Sequence, residues 1–112
     1  MKALIIKKPF IDLILDGKKT WEIRSSNVNI RGKIGLIQSG SGTIVGTCIL
    51  KDSIGPLSKE EFNNNSDKHK ANWDNITYKK TFAWVLDKAE RIEPISYNHP
   101  QGAIIWVNVE SI

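Results

Sequence analysis

The chain has 112 residues, a formal net charge of +4 and an apolar fraction of 40%, a composition that fits one globular domain and excludes a disordered or fibrous chain. The single cysteine, Cys48, excludes an internal disulfide, and one cysteine with two histidines, His69 and His99, argues against a structural zinc site. No stretch approaches the length of an apolar membrane span, and the apolar run near Met1 is too short for the core of a signal peptide. The expectation is a cytoplasmic protein with no membrane partner, no metal and no cofactor.

The charge is uneven. Residues 1–33 hold eight basic side chains against three acids, whereas residues 34–112 hold eight against nine. The positive field therefore comes from the N-terminal third, which suits either an anionic partner or plain solubility.

In chain order, 3–7 (ALIIK) reads as a short buried strand. Pro9 suits the first turn of a helix, and Phe10, Leu13, Ile14 and Gly17 follow at helical spacing. Gly17 is the expected C′ residue that ends it. Residues 19–24 alternate, with Trp21 and Ile23 on one face and Thr20, Glu22 and Arg24 on the other. A loop rich in Asn and Ser precedes strands at 33–39 and 43–54, the second with Gly46 as a bulge or barrel corner. Ser58 and Glu61 form a capping box at the start of a second helix. Residues 63–75 are polar and aperiodic, a length of loop that often carries function. A strand rich in aromatic and branched residues lies within 78–92, 94–102 reads as a connection, and 103–109 is the last strand. Six short strands and two small helices without βαβ alternation predict an α+β fold, a small mixed β-barrel occupying 1–112 as one domain.

The densest cluster of chemistry is GKKTWEIR (17–24). On a strand, Thr20, Glu22 and Arg24 share one face about 6–7 Å apart. Lys19 joins them where the chain leaves the helix. A guanidinium grips phosphate bidentately, an ammonium adds a point charge, and Glu22 either orients them or accepts from an amine edge of a base. The alternative is a solvated strand face with an ordinary surface ion pair. Ser39, at a strand end, is a candidate donor to phosphate. Trp73 and Tyr78, in and beside the aperiodic stretch, are candidates for stacking on a base. Trp84 and Trp106 read as core residues, and Cys48 as buried and inert. His69 is either a surface residue or, if it reaches the cleft mouth, an acid or base near neutral pH.

Gly17, Lys19, Glu22 and Arg24 spell G-x-K-x-x-E-x-R, which resembles the hallmark of the ASCH domain (activating signal cointegrator homology) within the PUA-like superfamily. KPFIDLIL before the motif, GTIVGTCILKD, and the ending FAWVLDKAERIEPISYNHPQGAIIWVNV are also similar to that family, in particular to its small stand-alone bacterial members. The resemblance implies a PUA-like barrel with a cleft beside the helix, lined by the motif residues, and RNA or a modified nucleoside or nucleotide as ligand. Some bacterial members are similar to amidohydrolases that deacetylate N(4)-acetylcytidine, in which the motif Lys works with a Thr and a downstream Glu. Here Lys19 matches, Glu22 occupies the Thr position, Thr20 lies two residues away, and Asp74 is the nearest match to the downstream acid. The leading expectation is a binding module. The alternatives are a hydrolase of the amidohydrolase or ribonuclease kind, with Lys19 and Glu22 as acid/base pair and His69 or Asp74 as helper, and a protein-interaction domain. The oligomeric state is not legible.

Overall fold

The computed structural model describes residues 1–110 and 112. Its frame is one six-stranded sheet: β1 (Lys2–Ile6), β2 (Trp21–Arg24), β3 (Gly32–Gln38), β4 (Thr43–Ile54), β5 (Phe82–Ser96) and β6 (Trp106–Asn108). The spatial order is β2-β5-β4-β3-β1-β6. Only β1 and β3 pair in parallel; the other neighbours run antiparallel. This is the expected α+β class, and the sheet curls into a half-barrel.

The curl comes from the two long strands. The β4–β5 ladder shifts register three times, between Ile44 and Gly46, Thr47 and Ile49, and Leu50 and Asp52, and each bulge bends and twists the sheet. At Gly46 a Cβ would lie 2.3 Å from Leu15 Cδ2 and 2.5 Å from the Glu90 carbonyl oxygen. Glycine there lets helix α1 (Phe10–Leu15) seat against the bend.

Inside the curl, Leu4, Ile6, Ile11, Ile14, Ile34, Leu36, Leu50 and Trp84 form the main core. A second cluster lies around Ile5, Ile37, Ile44 and Val107. A third joins Trp21 and Ile23 to Leu57, Phe62 and Ala83. The buried face of α1 is Ile11, Ile14 and Leu15, one position round from the expected Phe10, Leu13, Ile14 and Gly17 stripe. The shift leaves Phe10 half-buried at the cleft rather than in the core.

Helix α2 (Lys59–Asn64) starts on the predicted capping box: Glu61 N–H donates to Ser58 Oγ and Ser58 N–H to Glu61 Oε1, both at 3.0 Å. The stretch expected to be irregular is instead largely helical, with α3 (Ser66–His69) and a 3-10 turn at Trp73–Asn75. Among the described residues there are thus three short α-helices rather than two. The final strand is also shorter than expected, with Ile104 and Ile105 exposed before it.

Candidate functional site

A cleft of about 660 Å³ opens between α1, β2 and the segment after α3. Its charged lining is Lys7, Lys19, Glu22, Arg24 and Lys70, four cations around one carboxylate. Ser39, Phe10, Tyr78 and Ile104 also line it.

The helix ending delivers Lys19 to this place. Gly17 takes a φ of +77°. Gly17 N–H donates to the Ile14 carbonyl at 3.0 Å and Lys18 N–H to the Leu13 carbonyl at 2.9 Å, the paired bonds of a Schellman motif. Lys19 N–H also donates to the Leu13 carbonyl, at 3.0 Å. Thr20 is then tied on both sides, its N–H to the Lys68 carbonyl at 2.8 Å and its carbonyl to Leu86 N–H at 2.7 Å. With its neighbours held, the Lys19 side chain turns inward and is only 2% exposed.

Its ammonium donates to the His69 carbonyl at 2.5 Å, lies 3.6 Å from Glu22 Oε1, and sits 5.1 Å from the Phe10 ring centre. Burial pushes the Lys19 pKa below its ordinary value, and the Glu22 carboxylate partly restores it. The other oxygen of Glu22 accepts from Arg24, at 2.9 Å from Nη2 and 3.3 Å from Nε. Arg24 Nη2 also donates to the Ile5 carbonyl at 2.9 Å, and the guanidinium lies 5.4 Å from the Trp84 ring. Trp84 is itself fixed by a 2.8 Å bond from Nε1 to the Ser26 carbonyl. The result is a rigid cation–carboxylate–cation row, with net positive charge and little freedom left to lose on binding.

Among the expected residues, Lys19, Glu22, Arg24, Ser39 and Tyr78 all line the cleft, and Tyr78 is 42% exposed, free to meet a planar group. Thr20 does not line it: the strand begins only at Trp21, and Thr20 serves through its backbone. Trp73 does not line the cleft: it is half-buried and packs edge-on against Phe62 with ring centres 5.3 Å apart. Asp74 stands exposed in the 3-10 turn, outside the cleft lining. His69 does not reach the cleft mouth. It is fully buried, stacked 3.9 Å from the Phe62 ring, and both ring nitrogens are taken by backbone groups.

Lys7, Lys70, Phe10 and Ile104 were not legible as site residues. Lys7 follows β1 and Lys70 caps α3 in the left-handed conformation, at a φ of 56°. Neither has a motif around it; the curl of the sheet and the turn after α3 bring them in. Among the described residues no group of three or more His, Cys, Asp or Glu is disposed to hold a metal ion, and no helix is long and apolar enough to cross a membrane.

A comparison with protein-family models matches the ASCH domain over residues 4–96. The chain belongs to the ASCH domain family. Among solved structures it resembles the crystal structure of ASCH from Zymomonas mobilis, with a TM-score of 0.75 at 15% identity, covering 97% of this chain and 87% of that one. Two mutant forms of that protein superpose with TM-scores of 0.74 and 0.73 at 16% identity, each over 97% of this chain and over 89% and 87% of theirs. At this identity the likeness shows the fold. The comparison with curated proteins finds no match.

Proposed function

We propose that this chain binds single-stranded RNA or a modified nucleoside or nucleotide in the Lys19–Glu22–Arg24 cleft. The observation that carries the reading is the lining itself: four cations around one buried carboxylate, with an exposed tyrosine, in a volume that suits a small ligand. Lys7, Lys70 and the outer edge of Arg24 take anionic oxygens, and Tyr78 stacks on a base. Glu22 holds Lys19 and Arg24 in place, with both of its oxygens engaged. Fluorescence anisotropy of a labelled oligoribonucleotide tests this. Arg24→Met weakens binding about tenfold or more, as expected for a charge-assisted contact. Equal binding by wild type and variant overturns the assignment.

A second reading, hydrolysis of a nucleoside amide or of RNA, draws on one feature. Lys19 is buried, its pKa is lowered by that burial, and it sits beside a carboxylate, as a lysine poised for proton transfer would. Incubation with N(4)-acetylcytidine or RNA, followed by product analysis, separates the two. Turnover that disappears in Lys19→Met, in a protein that remains folded, favours the hydrolase; binding without product favours the reader.

A further inference from the structure

His69 stands one contact away from the proposed ligand site. Its Nδ1 accepts the Ala71 N–H at 3.0 Å, so in the neutral ring the proton must sit on Nε2, which faces the Phe62 carbonyl at 2.7 Å. One tautomer satisfies both bonds. The ring thereby ties the end of α3 to α2 and fixes the turn through Lys70, whose φ of 56° a non-glycine residue adopts at a cost. That turn carries two consequences for the cleft. It places Lys70 and Asn72 in the lining, and it aims the His69 carbonyl at the Lys19 ammonium.

We propose that His69 is a positioning residue that acts as a proton-sensitive clasp on the cleft: neutral, it holds the 69–72 turn and Lys19 in place; protonated, it releases them. The inference deepens the ligand-binding reading and rests on it for its consequence, though not for its geometry. A second ring proton would sit on Nδ1, donor against the Ala71 N–H donor, and that bond would be lost. The groups around the ring set the direction. Burial is the main opposition to a second positive charge, and Lys19, reaching in between α1 and β2, adds to it. The Phe62 carbonyl, from α2, and Asp67, on α3 itself, favour the charge; the Phe62 ring offers only its aromatic face. The balance keeps His69 neutral at neutral pH, with a pKa below the ordinary imidazole value.

NMR of the unliganded protein tests the clasp without any ligand. Long-range imidazole spectra should show the Nε2–H tautomer at neutral pH. On acidification the Ala71 and Lys70 amides and the Lys19 side-chain resonances should move with one midpoint, that of the His69 ring. An Nδ1–H tautomer, or Lys19 and Ala71 signals that stay fixed while the ring titrates, would overturn the proposal whether or not RNA binds. A second measurement reads the consequence. Anisotropy with a single-stranded oligoribonucleotide, whose phosphodiesters do not titrate here, should lose about tenfold in affinity as the pH falls through the His69 midpoint found by NMR. His69→Gln should remove most of that pH dependence. A wild-type profile no steeper than that of the variant contradicts the clasp, whereas absence of binding at every pH contradicts the ligand reading alone.

Discussion

Glu22 is shared by two cations, and its removal should tell on stability as well as binding. It is 6% exposed, with Lys19 on one oxygen and Arg24 on the other. Glu22→Gln leaves two cations with only a neutral amide between them. The expected loss is about 3 kcal/mol, read by chemical denaturation, since breaking one partner of a buried ionic pair strands the other charge, and the partial exposure of Arg24 keeps the cost at the low end. Lys19→Met should cost less, because Glu22 keeps Arg24 and a similar volume remains buried; its larger effect should be on ligand affinity. If Lys19→Met proves the more damaging to stability, Glu22 is not the organising charge. His69 adds a pH signature. Its folded pKa is lowered by burial, so below about pH 6.5 the unfolded chain binds more protons than the folded one. Stability should fall from there down to the folded pKa and level off beneath it. The same denaturation series in His69→Gln should lack that step. The sequence made Lys19, Glu22 and Arg24 visible because they share one short motif and one strand face. It could not show that His69 is core, because a histidine amid NNNSDKHKAN carries no periodicity; only the Phe62 ring and two backbone bonds reveal it.

At the scale of elements, α1 matters for how it stops. Gly17→Ala meets no atom within 4 Å but must hold a φ of +77°. The expected cost is about 1 kcal/mol, together with a shift of Lys19 that weakens binding. Denaturation and RNA anisotropy on one variant check both halves; a neutral effect on both would mean the helix ending does not set the lysine. Gly46→Ala should be worse, since the added methyl meets Leu15 and the Glu90 carbonyl together. The capping box of α2, the Gly46 bulge and strands β2 to β4 could be placed from local pattern. Two elements could not. Pro94 reads as the end of a strand, yet β5 continues to Ser96. The ladder steps from Gly46 opposite Arg91 to Ile44 opposite Ile95, so Pro94 falls inside a bulge, where no ladder N–H is needed. Helix α3 is four residues long, too short to exist on propensity. It is held by tertiary bonds from Thr20, Lys19 and its own histidine.

Across the whole molecule, the charge asymmetry of the sequence acquires a location. The N-terminal third contributes Lys7, Lys19 and Arg24 to the cleft, and the turn after α3 adds Lys70. A short single strand held there should show salt-dependent affinity, and Lys70→Ala should reduce the slope of log affinity against log salt by about 0.7, the share of one phosphate contact. An unchanged slope would remove Lys70 from the interface. The curl of the sheet, which joins β1, β2 and the 69–78 segment around one opening, was legible only as a fold class, because closure depends on register shifts that pattern does not reveal. On the proposed reading, an anionic, base-bearing ligand sits in this opening. An amide-shift NMR titration with a short single-stranded RNA and a panel of nucleosides, N(4)-acetylcytidine included, tests it most directly. The expected shifts are concentrated at Lys7, Glu22, Arg24, Lys70 and Tyr78 and fade as salt is raised. Shifts confined to other surfaces, or none with any member of the panel, would contradict that reading.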